Sequence, residues 1–230
     1  MSHFEPNLSV LPDEQRALWP QLAAVPSHFV LYGGTGLALR LGHRRSVDFD
    51  FMSDRSFVPE EIAREVPFLE RAERLQSASN TLTVSINPAA PVALSFFGGI
   101  RFGRVGVPDR VMDIGLAVAS ILDLAATKMA VVQQRAEAKD YLDIFAILAS
   151  GLPLETSLGA ARAIYGISFN PAITLKALAY FEDGDLPSLP REVRETLRDR
   201  ASQVGPIPEL VRASRSLAPD PEDSVSAPSS

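Results

Sequence analysis

Residues 28–51 read HFVLYGGTGLALRLGHRRSVDFDF, and this stretch decides the fold. His28-Phe29-Val30-Leu31-Tyr32 is an apolar run of strand composition that breaks at Gly33-Gly34. TGLALRLG follows, with Leu37, Leu39 and Leu41 on a short helix ending near Gly42. After HRRS, Val47-Asp48-Phe49-Asp50-Phe51 alternates strictly. Side chains two apart on a strand share a side, so this is a strand with two acids on one face and three apolar residues on the other. The unit is strand, glycine turn, helix, strand.

Each part of that unit suits a particular chemistry. Two glycines let the backbone approach a ligand closely and leave N–H groups at a helix N-terminus facing phosphate oxygens. The Thr35 hydroxyl either caps that helix or contacts a phosphate. Asp48 and Asp50 offer paired oxygens to a hard divalent cation, Mg2+ or Mn2+. Two acids beside a phosphate cradle meet the requirement for metal-assisted nucleotidyl transfer. Taken singly the parts are ordinary, since glycine pairs punctuate many loops and acids on one strand face are often simply solvated. Their combination, with twelve residues between Thr35 and Asp48, is the specific signal. His43, Arg44 and Arg45 precede the acidic strand, and either hold a triphosphate or RNA phosphate or form a solvated loop.

Composition bounds the alternatives. The chain has 230 residues, 46% hydrophobic and 22% charged, which is globular composition and excludes a mainly disordered chain. Zero cysteines exclude disulfide frameworks, thiolate zinc sites and cysteine nucleophiles, and three histidines argue against a multi-histidine metal site. The net charge of −6 argues against a broad nonspecific nucleic-acid coat, though not against a local basic cleft. Only three of the 22 basic residues are lysines: Lys128, Lys139 and Lys176. No apolar run reaches the roughly 20 residues of a membrane span, and the first residues lack a signal-peptide pattern. A cytoplasmic protein with no membrane partner is the expectation.

Outside the deciding stretch, Asp13 is expected to cap a short helix over EQRALW. Residues 59–74 read as helical, kinked or split at Pro67. Strands are expected at 81–86, 92–97 and 101–107, with Pro88 and Pro91 marking the first turn and Gly98-Gly99 and Gly103 suiting loops. Arg101, Arg104 and Arg110 are expected at the surface. From residue 117 the pattern turns helical, with helices near 119–135, 138–149, 154–165, 171–182 and 190–203. Trp19, Tyr141, Tyr165 and Tyr180 are expected in the core. The fold class is α+β: a mixed sheet flanked by helices (1–116), a helical region packed on it (117–205), and a Pro/Ser/acid-rich disordered tail (206–230).

A second constellation lies in the helical half. Lys128 and Arg135 are seven apart and would share one helix face, while Asp140 and Asp143 neighbour each other on the next, with Lys139 beside them. A lysine there would neutralise triphosphate charge, and a facing aspartate would orient the lysine or act as a base on an attacking hydroxyl. The same spacing also suits a surface ion-pair network of little energetic weight.

Taken together, FVLYGGTGLALRLGHRRSVDFDFMS and DLAATKMAVVQQRAEAKDYLDIFAIL resemble the AbiEii/AbiGii toxin family of nucleotidyltransferase-like proteins, of the polymerase-beta-type superfamily. The resemblance spans about residues 25–185. It implies a nucleotidyltransferase-type fold and Mg2+-dependent transfer of a nucleotide from an NTP to an acceptor, tRNA or another RNA. It also implies the toxin role in a toxin–antitoxin or phage-defence pair, with a cognate antitoxin protein. Gly33, Gly34 and Thr35 would bind nucleotide with Arg44, Arg45 and Lys128. Asp48 and Asp50 would bind metal and, with Lys128 and Asp140, carry catalysis. Arg135, Lys139 and Asp143 would support them. One departure stands out: Ser95 occupies the strand position where many such enzymes place a third acid. Ser95 is read here as an ordinary strand residue, and the alternative it raises is a catalytically weak nucleotide-binding or protein-interaction module.

Overall fold

The computed structural model describes residues 2–87, 91–220 and 223. They fall into two compact units, one within Met1–Ser120 and Ala213–Ser230, the other Ile121–Arg212.

The first unit is built on an eight-stranded mixed sheet. Its strands are β1 (His3–Phe4), β2 (Val30–Tyr32), β3 (Asp48–Met52), β4 (Glu73–Ala78), β5 (Thr81–Ile86), β6 (Val92–Phe97), β7 (Asp109–Val111) and β8 (Ala117–Val118). Their order across the sheet is β1-β7-β8-β2-β3-β6-β5-β4. Three helices accompany the sheet: α1 (Asp13–Leu18), α2 (Gly33–Leu41) and α3 (Pro59–Glu65). The alternation of β3 does what it implies. Phe49 and Phe51 are fully buried and stack in series with Phe96 of β6, while Asp48 and Asp50 take the opposite face. Burying each phenylalanine stabilises the unit by about 2–3 kcal/mol, and that pull sets the register of the acids.

The second unit is helical, with α4 (Ile121–Val131), α5 (Ala138–Ala149), α6 (Leu154–Tyr165), α7 (Pro171–Ala177) and α8 (Arg191–Ser202). Leu124 and Met129 of α4, Ile144 and Ile147 of α5, and Leu158 of α6 are fully buried. Among the described residues no single helix is long and apolar enough to cross a membrane.

Several expectations need correction. Residues 59–74 are not one helix: α3 stops at Glu65, Pro67–Leu69 forms a tight turn, and Glu73 opens the edge strand β4. Pro67 lacks the N–H a continuing helix needs. All six residues of β4 are exposed, so the strand carries no apolar alternation to announce it. The strand expected at 101–107 is a single bridge between Arg104 and Ser214, and the regular strand begins later, at Asp109. Gly103 and Gly106 interrupt that run, and Pro108 follows it. Asp13 lies in the first turn of α1, where Pro12 takes the cap position. Helix α4 ends at Val131 and not Arg135, because its last turn tightens into i to i−3 bonds, Gln133 to Ala130 and Gln134 to Val131. The turn expected around Pro88 lies partly outside the described residues.

The end of the chain also differs from a loose tail beginning at 206. The Ile207 carbonyl accepts from Arg162, and the Pro208 carbonyl lies against Gly159 of α6, both within the second unit. From Ala213 the chain returns to the first unit, where Leu217 is fully buried and its N–H donates to Asp54. Arg104 explains that return. Expected at the surface, it is 1% exposed and ion-paired to Asp220 at 3.0 Å and Asp223 at 2.6 Å. A buried guanidinium requires such partners.

Candidate active site

In the first unit the site grows from one register. β2 runs antiparallel to β3 with Tyr32 opposite Asp50. The chain leaves β2 directly after Tyr32, so the Gly33-Gly34 turn forms beside the two acids. Gly33 has φ of +71°, and a Cβ there would lie 2.5 Å from Asp50 Oδ2. Glycine is required twice over, for the left-handed backbone and for the close approach of the carboxylate. At Gly34 a Cβ would lie 2.3 Å from an Arg44 guanidinium nitrogen. The Arg44 side chain thus lies over the start of α2, whose first N–H groups have no partner within the helix. His43 and Arg44 are half-buried and Arg45 is exposed.

Thr35 is placed differently from either role expected of it. Its hydroxyl is buried, pairs with Ser46 Oγ at 2.7 Å, and bonds to the Asp48 carbonyl. No side chain caps α2. The hydroxyl therefore locks the acidic strand to the helix that follows the glycine turn.

Asp48 is exposed and Asp50 half-buried on a shared strand face. On the parallel neighbour β6, Ser95 stands level with Asp50 and Ala93 level with Asp48. Ser95 pairs with Thr83 of β5 at 3.3 Å, as an ordinary strand hydroxyl. Two carboxylates on one face, one of them open to solvent, suit the oxygen-donor preference of Mg2+ or Mn2+. Among the described residues no group of three or more His, Asp or Glu side chains converges.

The second unit brings its own cluster together. Lys128 Nζ lies 2.7 Å from Asp140 Oδ1 and 2.6 Å from Asp143 Oδ2. Arg135, in the turn beyond α4, reaches Asp140 with Nε at 2.8 Å. Both aspartates are fully buried and Lys128 is 6% exposed, so this is not the surface network that spacing alone allowed. Burial by itself would raise the Asp140 pKa. The hydrogen bond from Arg135 and the charge and hydrogen bond of Lys128 together outweigh burial and hold it below the usual carboxylate range. A carboxylate so held is a weak base near neutral pH, which favours the orienting role over proton abstraction. Lys139 is not part of this cluster: it is exposed and paired to Glu137 at 2.9 Å. Tyr141 packs in the core beside Asp140, its hydroxyl pushed up to about 12 by burial and then by that negative charge. Tyr180, expected inside, is exposed.

Two residues that sequence patterns passed over belong to the first cluster. Ser46 supports Thr35, and Gln15 of α1 donates to the Val47 carbonyl at 2.7 Å. Neither leaves a motif, because each acts through a backbone carbonyl or another hydroxyl.

Comparison with known proteins agrees with this architecture. A relative from Aquifex aeolicus (strain VF5), an uncharacterized protein, is 31% identical over 179 residues, spanning 75% of this chain and 84% of its own. A solved H. pylori chain assigned as a nucleotidyltransferase superposes with a TM-score of 0.53 at 17% identity, covering 82% of this chain and 90% of that one. MenT4, a nucleotidyltransferase toxin from Mycobacterium tuberculosis H37Rv, superposes with a TM-score of 0.55 at 15% identity, covering 82% and 83%. At those identities the two structures speak to the fold, which is that of nucleotidyltransferases. The family model for the nucleotidyl transferase AbiEii toxin of type IV toxin–antitoxin systems matches residues 16–216. The chain belongs to the AbiEii nucleotidyltransferase toxin family.

Proposed function

We propose that this chain is a Mg2+-dependent nucleotidyltransferase that transfers a nucleotide from an NTP to an RNA acceptor, tRNA foremost, as a toxin restrained by a cognate antitoxin in the cytoplasm. The observation that carries the reading is the contact of the glycine turn with the acids, Gly33 standing where any Cβ would meet Asp50. A phosphate held at the head of α2 then lies beside two carboxylates. Asp48 and Asp50 are the residues that would hold the cation. Bound there, Mg2+ would polarise the phosphoryl oxygens and neutralise developing charge.

The chain's own residues divide the remaining work. The first N–H groups of α2 and the Arg44 guanidinium bind phosphate oxygens, with Arg45 as an exposed contact for triphosphate or RNA. Lys128 supplies positive charge to the triphosphate, oriented by Asp140 and Asp143, while Arg135 holds Asp140 ionised. Binding and orientation of this kind are most of what phosphoryl transfer asks of a protein.

The test is transfer from each of the four labelled NTPs to total RNA by the purified chain. Product is expected with Mg2+, and its loss with chelator, with Asp50→Asn and with Lys128→Ala. Product that survives both substitutions would reject these site roles. One observation favours a second reading, a nucleotide-binding module without transferase activity: Ser95, not an acid, stands level with Asp50. NTP binding in calorimetry with no product on any acceptor would favour that module.

A further inference from the structure

β3 enters the sheet with one side unsupported. β2 pairs with β3 only from Tyr32–Asp50 to Val30–Met52, because beyond Tyr32 the chain has turned into α2. No β2 residue stands opposite Asp48, and the Asp48 carbonyl would face that gap without a ladder partner. The structure closes it with side chains. The Thr35 hydroxyl bonds to the Asp48 carbonyl, with Ser46 Oγ 2.7 Å from the same hydroxyl. Gln15 Nε2 donates to the preceding carbonyl, Val47 O, at 2.7 Å. Ser46 N–H in turn donates to the Val10 carbonyl at 3.2 Å.

Successive carbonyls on a strand point to opposite edges. Gln15 and Thr35 hold two successive carbonyls at the start of β3, immediately before and at the exposed acid. Gln15 is 3% exposed and Thr35 1% exposed, so both grips are shielded from water. The rest of Gln15 also argues for a placed residue: its Oε1 is buried with no hydrogen-bond partner among the described residues. Keeping an amide in that position costs desolvation, and an apolar residue of similar size would avoid the cost. The bond to Val47 is what offsets it.

We propose that Gln15 and Thr35 are positioning residues for the Asp48 carboxylate, holding it in register with Asp50 so that both acids serve one divalent cation. The proposal rests on the metal-binding role of that pair set out above. Asp50 is fixed by strand pairing on both sides, to Tyr32 and to Ser95. Asp48 has a strand neighbour only in Ala93, so its geometry depends on the two side-chain grips.

The test is Mn2+ binding to the full chain, read from the paramagnetic signal of free Mn2+, with thermal melting in the absence of metal as the check on folding. Thr35→Val and Gln15→Met remove the two donors and keep the bulk. Each is expected to weaken Mn2+ binding about tenfold, while Thr35→Ser, which keeps the hydroxyl, stays within about twofold. Wild-type-like binding in both donor-less variants, with loss in Asp50→Asn, overturns the positioning role and leaves the metal pair intact. A wild-type chain that binds no Mn2+ overturns the metal pair itself and the positioning role with it. Loss of folding in both donor-less variants assigns the two residues a structural role and also overturns the proposal.

Discussion

Replacing Lys128 with methionine removes one charge from a cluster in which two carboxylates are fully buried. The ammonium sits 2.7 Å from Asp140 and 2.6 Å from Asp143. At an effective dielectric of about 20, each contact is worth about 6 kcal/mol gross. Much of that only offsets desolvation, which costs several kcal/mol per ion. The measurable effect is therefore the penalty of buried carboxylates deprived of a cation. Asp140 keeps Arg135, whose side chain is 45% exposed and correspondingly screened, and Asp143 loses its ammonium. A loss of about 3–5 kcal/mol follows, or roughly 6–20 °C in Tm for a chain of this size.

Urea and thermal unfolding followed by far-ultraviolet circular dichroism read this directly, since helices α4 to α8 dominate the signal. Acidification gives a second readout. In the wild type, Asp140 titrates below its unfolded value, so its stabilisation is present above the ordinary carboxylate pKa and fades as pH falls through the depressed folded value. In Lys128→Met, burial acts with less opposition and protonation relieves the buried charge. The gap between the two proteins should then narrow from about pH 7 to about pH 4. Adding Asp143→Asn to the variant should restore part of the loss. A deficit below about 1 kcal/mol at neutral pH, the worth of a surface pair, or a gap that widens on acidification, would refute a buried, charge-balanced cluster.

Two further outcomes follow from the first unit. Gly33→Ala should cost more than Gly115→Ala, although both residues have φ near +70° (+71° and +66°), because a Cβ at Gly115 meets nothing within 4 Å. The left-handed backbone accounts for about 1–2 kcal/mol in each, so urea midpoints that coincide would remove the Asp50 contact from the argument. Arg104→Met should loosen the returning C-terminal segment by about 3 kcal/mol, raising its open population more than about a hundredfold. Tryptic cleavage at Arg212 and Arg215, both exposed, would then accelerate, and an unchanged cleavage rate would argue that Asp220 and Asp223 do not hold the segment.

What was legible in the sequence depended on whether the information was local. The alternation at 47–51 announced β3 and the face of each aspartate, because period-two patterning with buried phenylalanines admits one register. Helix α5 was equally plain, expected over 138–149 and stopping at Ser150-Gly151, and it is found as Ala138–Ala149. Strands β1, β7 and β8 are two or three residues long and β4 has no apolar face, so none carries a periodic signal. Arg104 looked like a surface residue because its partners lie 116 and 119 positions away. Asp140 and Asp143 were identifiable as neighbours from helix spacing, but their burial and their contact with Lys128 were not, since spacing says nothing of which face is covered or what lies against it. Thr35 shows a different limit. A hydroxyl after two glycines suits a phosphate, yet here the gap left by β2 claims it for the Asp48 carbonyl.

The two acidic clusters are held by opposite means. In the second unit, two cations, Lys128 and Arg135, face two carboxylates, Asp140 and Asp143, and the formal charges cancel. A phosphate that drew on Lys128 would compete with two buried carboxylates already within 2.7 Å, and any displacement would leave them poorly compensated. In the first unit, Asp50 is steadied by strand pairing on both sides and Asp48 by pairing to Ala93 and the Thr35 hydroxyl on its carbonyl, on a face open to solvent at Asp48. Arg44 lies against Gly34 at the head of α2, where the helix dipole favours an anion. Lys128 is thus a rigidly held charge, which could be drawn away only by stripping two buried carboxylates of their ammonium.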